Sequence, residues 1–185
     1  EHFGAINGVI HAAGLVGAAA TVSIPETNEQ VIRTHLEPKL IGSQVLADLL
    51  NNEQLDFVLL QSSLSTVLGG IGMYAYASAN AYLDAISAVQ NRKSSTLWMS
   101  VNWDGWRFDH EPFKSGFEEL SMTPTEGIKA FDLLFKNMGV PQIVVSTGEL
   151  MERIQQWVTL ETRTLQTGIG VTQRHPRPNI VTPFA

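Results

Sequence analysis

Four short apolar runs, at residues 8–14, 56–62, 96–103 and 142–147, alternate along the chain with longer segments of helical periodicity. This alternation is the strongest restriction on the fold. Phe57-Val58-Leu59-Leu60 and Val9-Ile10 are apolar without a polar alternate, the pattern of strands covered on both faces. Between the first two runs, apolar residues at Val31, Ile32, Leu36, Leu40, Val45, Leu46, Leu49 and Leu50 predict a helix from about 28 to 51. Pro38 lies inside it and should kink it or remove a hydrogen bond there. Further helices are expected over 74–92, 124–137 and near 149–160, with a loop and short helix between 103 and about 120. Strands alternating with helices of these lengths predict an α/β fold built on a parallel sheet with right-handed crossovers.

Composition narrows the function classes. A hydrophobic content of 44% and a charged content of 16% over 185 residues describe a globular chain with room for one domain and a tail. A net charge of −6 offers no general attraction to nucleic acid or anionic lipid. With no cysteine there is neither a disulfide framework nor a thiolate metal site, and His2, His35, His110 and His175 lack metal-ligand spacing. No apolar run reaches membrane-spanning length, and the start is not a signal peptide, so a cytoplasmic protein is expected.

The residues with most chemical content lie between Gln61 and Ala85. Ser62 and Ser63 end the second apolar run, a Gly-rich loop follows, and Tyr76 and Asn80 stand four apart in an Ala-rich helical stretch. That spacing puts both side chains on one helix face. The small residues Ala75, Ala77, Ser78, Ala79 and Ala81 allow the helix to lie close to a flat partner. A serine hydroxyl at a strand end, facing a tyrosine on the next helix, suits proton transfer to a carbonyl oxygen. Spacing alone favours the plainer reading, a buried structural helix and a Ser-Ser turn.

The stretch as a whole resembles the ketoreductase domains of modular polyketide synthases, a branch of the short-chain dehydrogenase/reductase superfamily. Those domains have Ser-Ser at a strand end and, thirteen residues after the second serine, the tyrosine of a Tyr-Ala-x-x-Asn motif. Ser63 and Tyr76 are thirteen apart, and Tyr76-Ala77-Ser78-Ala79-Asn80 fits. The family carries its lysine on the preceding helix in a Pro-Lys-x-x-Gly context, which here reads Pro38-Lys39-Leu40-Ile41-Gly42. Gly8-Val9-Ile10-His11-Ala12-Ala13-Gly14 is similar to the family's fourth strand and its cofactor turn. Val101-Asn102-Trp103-Asp104-Gly105-Trp106 is similar to the strand end bordering nicotinamide and substrate, and 123–127 and 141–146 to the last helix start and last strand.

The resemblance implies a Rossmann-like parallel sheet with flanking helices. It also implies NADPH-dependent reduction of a β-ketoacyl thioester carried on the phosphopantetheine of an acyl carrier protein. Tyr76 would donate the proton. Lys39 would favour the phenolate and hold the nicotinamide ribose, Ser63 would steady the oxyanion, and Asn80 would organise a water or lysine relay. His11, Ala12, Ala13, Gly14, Ser62, Lys39, Tyr76 and Trp103 would border the cofactor. Residues 106–121 correspond to the substrate lid, with Trp106, Phe108, Phe113 and Phe117 covering the polyketide chain. Two stereochemical markers are absent: Val16-Gly17-Ala18 replace Leu-Asp-Asp, and Leu68 stands where the other type has tryptophan.

A dinucleotide site should open with a G-x-G-x-x-G turn between strand and helix, and no such motif occurs. Gly69-Gly70-Ile71-Gly72 has the wrong spacing and place. The expectation is therefore the C-terminal part of a ketoreductase catalytic domain over 1–160. Its first, nucleotide-binding strands would belong to an upstream half, and 161–185 would form a linker toward the carrier domain. The Thr, Gln, Arg, Gly and Pro content of that tail also fits an ordinary terminus. A catalytically silent, structural reductase-like half and a stand-alone short-chain alcohol dehydrogenase are the alternatives.

Overall fold

The computed structural model describes residues 4–15, 21–107 and 120–159. Its four strands, β1 (Gly8–His11), β2 (Phe57–Ser63), β3 (Leu97–Trp103) and β4 (Gln142–Val144), form one parallel sheet in the order β1-β2-β3-β4. Gly8 pairs with Phe57, Phe57 with Leu97, and Ser100 with Gln142, so the carboxyl ends of all four strands lie on the same side. This is the parallel sheet that alternating apolar runs predict, in the Rossmann-like form that the resemblance implies. In open α/β sheets, ligands bind outside those carboxyl ends.

The first crossover helix is interrupted where Pro38 stands. Asn28 caps α1 (Glu29–Leu36), its side chain accepting from the Val31 amide. Proline has no amide to continue the ladder. The chain responds with a π-type turn over Glu37–Ile41, in which the Gly42 amide reaches back five residues to the Glu37 carbonyl, and then resumes as α2 (Gly42–Leu50). The expected kink is a bulge, and the bulge carries Lys39. Such turns are frequent at functional sites.

After β2 comes a single helical turn, α3 (Ser65–Leu68), in the stretch expected to be loop. The chain then bends through Gly69, Gly70 and Gly72, all at positive φ. At Gly72 a side chain would collide with Thr21, while its carbonyl accepts from the Val22 amide at 2.9 Å. That bond ties the loop to the segment after β1. Helix α4 (Tyr74–Gln90) follows directly.

Beyond β3, Thr123 and Glu126 form a reciprocal capping box that starts α5 (Pro124–Lys136). Helix α6 (Leu150–Trp157) is held by a buried ion pair, Arg153 to Asp104 at 2.5 Å, with Trp157 against the guanidinium. Asp104 also accepts from the amide and hydroxyl of Thr147. Strands β1 and β4 are shorter than the apolar runs suggested, ending at His11 and Val144.

The sheet separates two cores. Leu59, Met99, Val101 and Trp103 face α5, packing with Met122, Ala130 and Leu134. Val58, Leu60 and Trp98 face α4 and α2, packing with Leu83, Ile86, Leu46 and Leu50. Among the described residues, no helix is long and apolar enough to cross a membrane.

Candidate active site

Lys39 is 6% exposed, unusual for a lysine. Its ammonium donates to the Gln61 carbonyl on β2 at 2.9 Å. On the other side it lies against Gly14, where a side-chain carbon would stand 3.0 Å from Lys39 Cε and 3.3 Å from Nζ. Glycine at the end of the β1 turn thus leaves the space that the lysine fills. Burial pulls the Lys39 pKa down from 10.5 to about 8, and the charge of Asp84 opposes part of that fall.

His11 ends β1 and is buried against the same helix, its Cε1 3.2 Å from where a Gly42 side chain would begin. Burial lowers its pKa, the neighbouring Lys39 charge lowers it further, and the Pro38 carbonyl facing it raises it. The imidazole is therefore held toward its neutral form beside the ammonium. His35, one turn before Lys39, is also buried and pushed toward neutrality by burial. Its ring meets Tyr76 edge-on with centroids 6.3 Å apart, which brings the lysine helix and the tyrosine helix together.

Tyr76 lies in the first turn of α4, half-buried. Asn80, one turn on, is fully buried; its amide donates to the Tyr76 carbonyl at 2.8 Å, and its Oδ1 has no partner among the described residues. Ser62 donates to the Asn80 carbonyl at 3.2 Å, joining the end of β2 to α4. Ser63 is half-buried at the last position of β2, and its hydroxyl accepts from the Ser65 amide at 3.2 Å. Lys39, Ser63, Tyr76 and Asn80 thus all lie at the carboxyl end of β1 and β2, on a strand end, a π turn and a helix start. No hydrogen bond joins the side chains of Ser63, Tyr76 and Lys39 among the described residues.

Behind this surface is a polar ladder that the sequence reading missed. The Asn102 amide lies within hydrogen-bond distance of Thr66 Oγ1 (2.7 Å), Asp84 Oδ2 (2.8 Å), Ser62 Oγ (3.2 Å) and the Ser63 carbonyl (3.3 Å). Its Oδ1 accepts from Gln142 at 3.0 Å, and Ser100 donates to Asp84 Oδ1 at 2.5 Å. Ser100 and Asn102 are fully buried. The signal was present: Ser100 and Asn102 are alternate polar residues inside an apolar strand run, and Asp84 stands four beyond Asn80 and eight beyond Tyr76.

Comparison with known proteins decides the family. The family model described as KR domain matches residues 1–108, more than half of the chain. The chain belongs to the ketoreductase family of polyketide synthases. It is 31% identical over 157 residues to polyketide synthase PksM of Bacillus subtilis, covering 79% of this chain and 4% of that protein. It is similar to the solved N-terminal ketoreductase from the macrolactin assembly line, at 28% identity and a TM-score of 0.69, covering 84% of this chain and 30% of that one. A ketoreductase domain from the bacillaene assembly line gives 26% identity and a TM-score of 0.70, covering 85% and 40%. The chain therefore spans a small fraction of its curated relatives and well under half of these solved ones.

Among the residues a ketoreductase site would use, Ala12, Ala13 and Gly14 are exposed just beyond β1, beside Lys39 and His11. Trp103 is differently placed from the cofactor-bordering position expected of it. Its ring is 5% exposed in the core facing α5, 4.7 Å from Phe131 and 5.3 Å from Trp106. The cause is strand alternation: Asn102 turns toward α4, so Trp103 must turn away. Its carbonyl does reach the site side, accepting from the Leu64 amide at 2.8 Å. Trp106, of the four lid candidates, packs onto α5 at Gly127, where any side chain would collide with its ring. Phe108, Phe113 and Phe117 lie outside the described residues, as do the Val16–Ala18 marker and the 161–185 tail.

Proposed function

We propose that this ketoreductase segment catalyses the NADPH-dependent reduction of a carrier-bound β-ketoacyl thioester to the β-hydroxyacyl thioester. The observation that carries the reading is the buried Lys39 ammonium, with a pKa of about 8, held on β2 next to the strand end that carries Ser63 and the start of the helix that carries Tyr76 and Asn80. A lysine has no structural reason to occupy that position, since desolvation disfavours it.

The residues present fit the nicotinamide end of a dinucleotide. The Lys39 ammonium lies beside the exposed backbone of Ala12, Ala13 and Gly14, and Asn80 Oδ1 and His11 Nε2 are buried without a partner among the described residues. Lys39, with the backbone of 12–14, would hold the nicotinamide ribose, and Ser62 would support the β2 end beneath it. The cofactor, when bound, supplies hydride to the substrate carbonyl carbon. Because no G-x-G-x-x-G turn occurs in the sequence, we assign the pyrophosphate to a nucleotide-binding half outside these 185 residues.

Tyr76 then gives its phenolic proton to the developing alkoxide. The ammonium of Lys39 stabilises the negative charge that remains on the phenolic oxygen. Ser63 donates to the carbonyl oxygen as charge grows there, its own oxygen accepting from the Ser65 amide so that the O–H stays free to donate. Asn80 orients the water that returns a proton to Tyr76.

The test uses the complete domain and a β-ketoacyl thioester of pantetheine. Tyr76→Phe is expected to lower kcat by about 10²-fold or more with little change in dinucleotide affinity. Unchanged turnover would remove Tyr76 from the donor role. Reduction of free ketones with none of carrier or pantetheine thioesters would replace this substrate class with that of a stand-alone dehydrogenase.

A further inference from the structure

We propose that Asp84 is a positioning residue of this site. Its carboxylate fixes Asn102, and through it the serine end of β2, and its negative charge acts on the buried Lys39 ammonium without touching it. The inference rests on the reading of Lys39 as a working part of the site.

The geometry comes first. Asp84 shares a face of α4 with Tyr76 and Asn80, at intervals of one helical turn. Its two oxygens accept from different partners on β3, Ser100 Oγ at 2.5 Å and Asn102 Nδ2 at 2.8 Å. The same Asn102 nitrogen packs 3.2 Å from Ser62 Oγ and 3.3 Å from the Ser63 carbonyl at the strand end, sharing its two hydrogens among these acceptors, and Ser62 donates to α4 at the Asn80 carbonyl. The ladder is closed: the helix that carries Tyr76 and the strand that carries Ser63 cannot slide relative to one another without breaking it. An apolar ladder would stabilise at least as well, so polarity here calls for a reason other than stability.

The charge supplies that reason. Of the groups around Lys39, His11 on β1 is the one whose cationic form would oppose the ammonium, and His35 on its own helix is held toward neutrality. From α4, Tyr76 packs on His35, and Asp84 favours the ammonium against burial. Without the Asp84 charge, burial acts on Lys39 unopposed, and the lysine loses its proton at lower pH. The phenolate of Tyr76 would then lose its partner within the working range.

Asp84→Asn separates the two roles. The carboxamide keeps the bond from Asn102, and the Ser100 hydroxyl can turn to accept, so the frame survives and the charge is lost. In the complete ketoreductase domain, the alkaline limb of kcat/KM is expected to move down by about one pH unit, with the rate near pH 6 within about threefold of the parent. The Lys39 side-chain NMR titration should move by the same amount. Asp84→Ala removes the anchor too and should lower kcat by about tenfold or more at every pH. Ser100→Ala removes one bond and no charge, and should leave the limb in place. If Asp84→Asn moves neither the limb nor the lysine titration, the charge role is wrong. An equal shift in Ser100→Ala would make the effect structural. Lys39→Met distinguishes the two levels: if it retains turnover, the reading of the site fails. If it abolishes turnover while both folded Asp84 variants behave as the parent, this inference alone fails.

Discussion

The two faces of the same sheet are built to different ends. Toward α5 the strands present Leu59, Met99, Val101 and Trp103, and β3 is apolar there up to its last residue, while β2 ends in Gln61 and Ser63. Toward α4 the same strands begin apolar, with Val58, Leu60 and Trp98, and then change to Ser62, Ser100 and Asn102 at their carboxyl ends. Since side chains alternate between faces, each strand carries both programmes at once. The α5 face ties up its surface in dispersion and burial. The α4 face gives up apolar contact where the site begins and replaces it with a hydrogen-bond ladder under a buried charge. Substitutions on the first face should be read in stability, and those on the second in rate and pH dependence.

The largest stability effect is expected at Trp103. Trp103→Ala should cost about 3–5 kcal/mol, since the ring sits between Trp106 and Phe131 in the packed core. Chemical denaturation measures it. Trp103→Phe removes an indole N–H that is buried without a partner among the described residues, and should recover most of that loss. Molecules that remain folded should keep the parent kcat. A loss of rate well beyond the loss of folded protein would show that the apolar face enters the chemistry.

On the α4 face the sign reverses at Lys39. Its pKa falls from 10.5 in the unfolded chain to about 8 in the folded one, so the folded state binds the proton less well. The resulting penalty is present in full below about pH 8 and fades as pH rises toward 10.5. Lys39→Met removes it. The variant should be more stable than the parent at pH 7, by up to about 3 kcal/mol, with the advantage vanishing near pH 10.5. It should also be catalytically dead. Stability given up at a functional site is a common exchange. A variant destabilised equally at both pH values would show instead that Lys39 works as an ordinary packing residue.

What the sequence made legible follows the same division. Apolar runs and helical periodicity located the strands to within a few residues, because a parallel sheet buried on both faces writes its core directly into composition. They also led to the elements that carry Lys39, Ser63, Tyr76 and Asn80. The ladder was harder to see. Ser100, Asn102 and Gln142 gain meaning only once register sets them opposite Ser62, Ser63 and Asp84 across strands remote in sequence. Pro38 announced an interruption, but whether a helix answers proline with a kink or a π turn depends on what the freed backbone meets, and here it meets His11. Trp103 was read for its neighbours in sequence, whereas alternation directs its ring to the opposite face.

The smallest expected effect gives the cleanest control. Thr123 caps α5 by accepting from the Glu126 amide, while the Glu126 carboxylate accepts from the Thr123 amide at 2.8 Å. Thr123→Ala removes one arm of this box and should cost about 1 kcal/mol. For a chain of this size that lowers the melting temperature by about 2–4 °C. Thr123→Ser keeps the hydroxyl and should restore most of it. Because α5 covers only the apolar face, neither substitution should change kcat, KM or the alkaline limb of the rate profile. That expectation is strict, since α5 meets β2 and β3 through apolar side chains, Phe57, Leu59, Met99, Val101 and Trp103, whose packing does not hold a proton or a charge. A displaced limb in Thr123→Ala, at full folding, would mean that the two faces are coupled through the sheet and that their division of labour is incomplete.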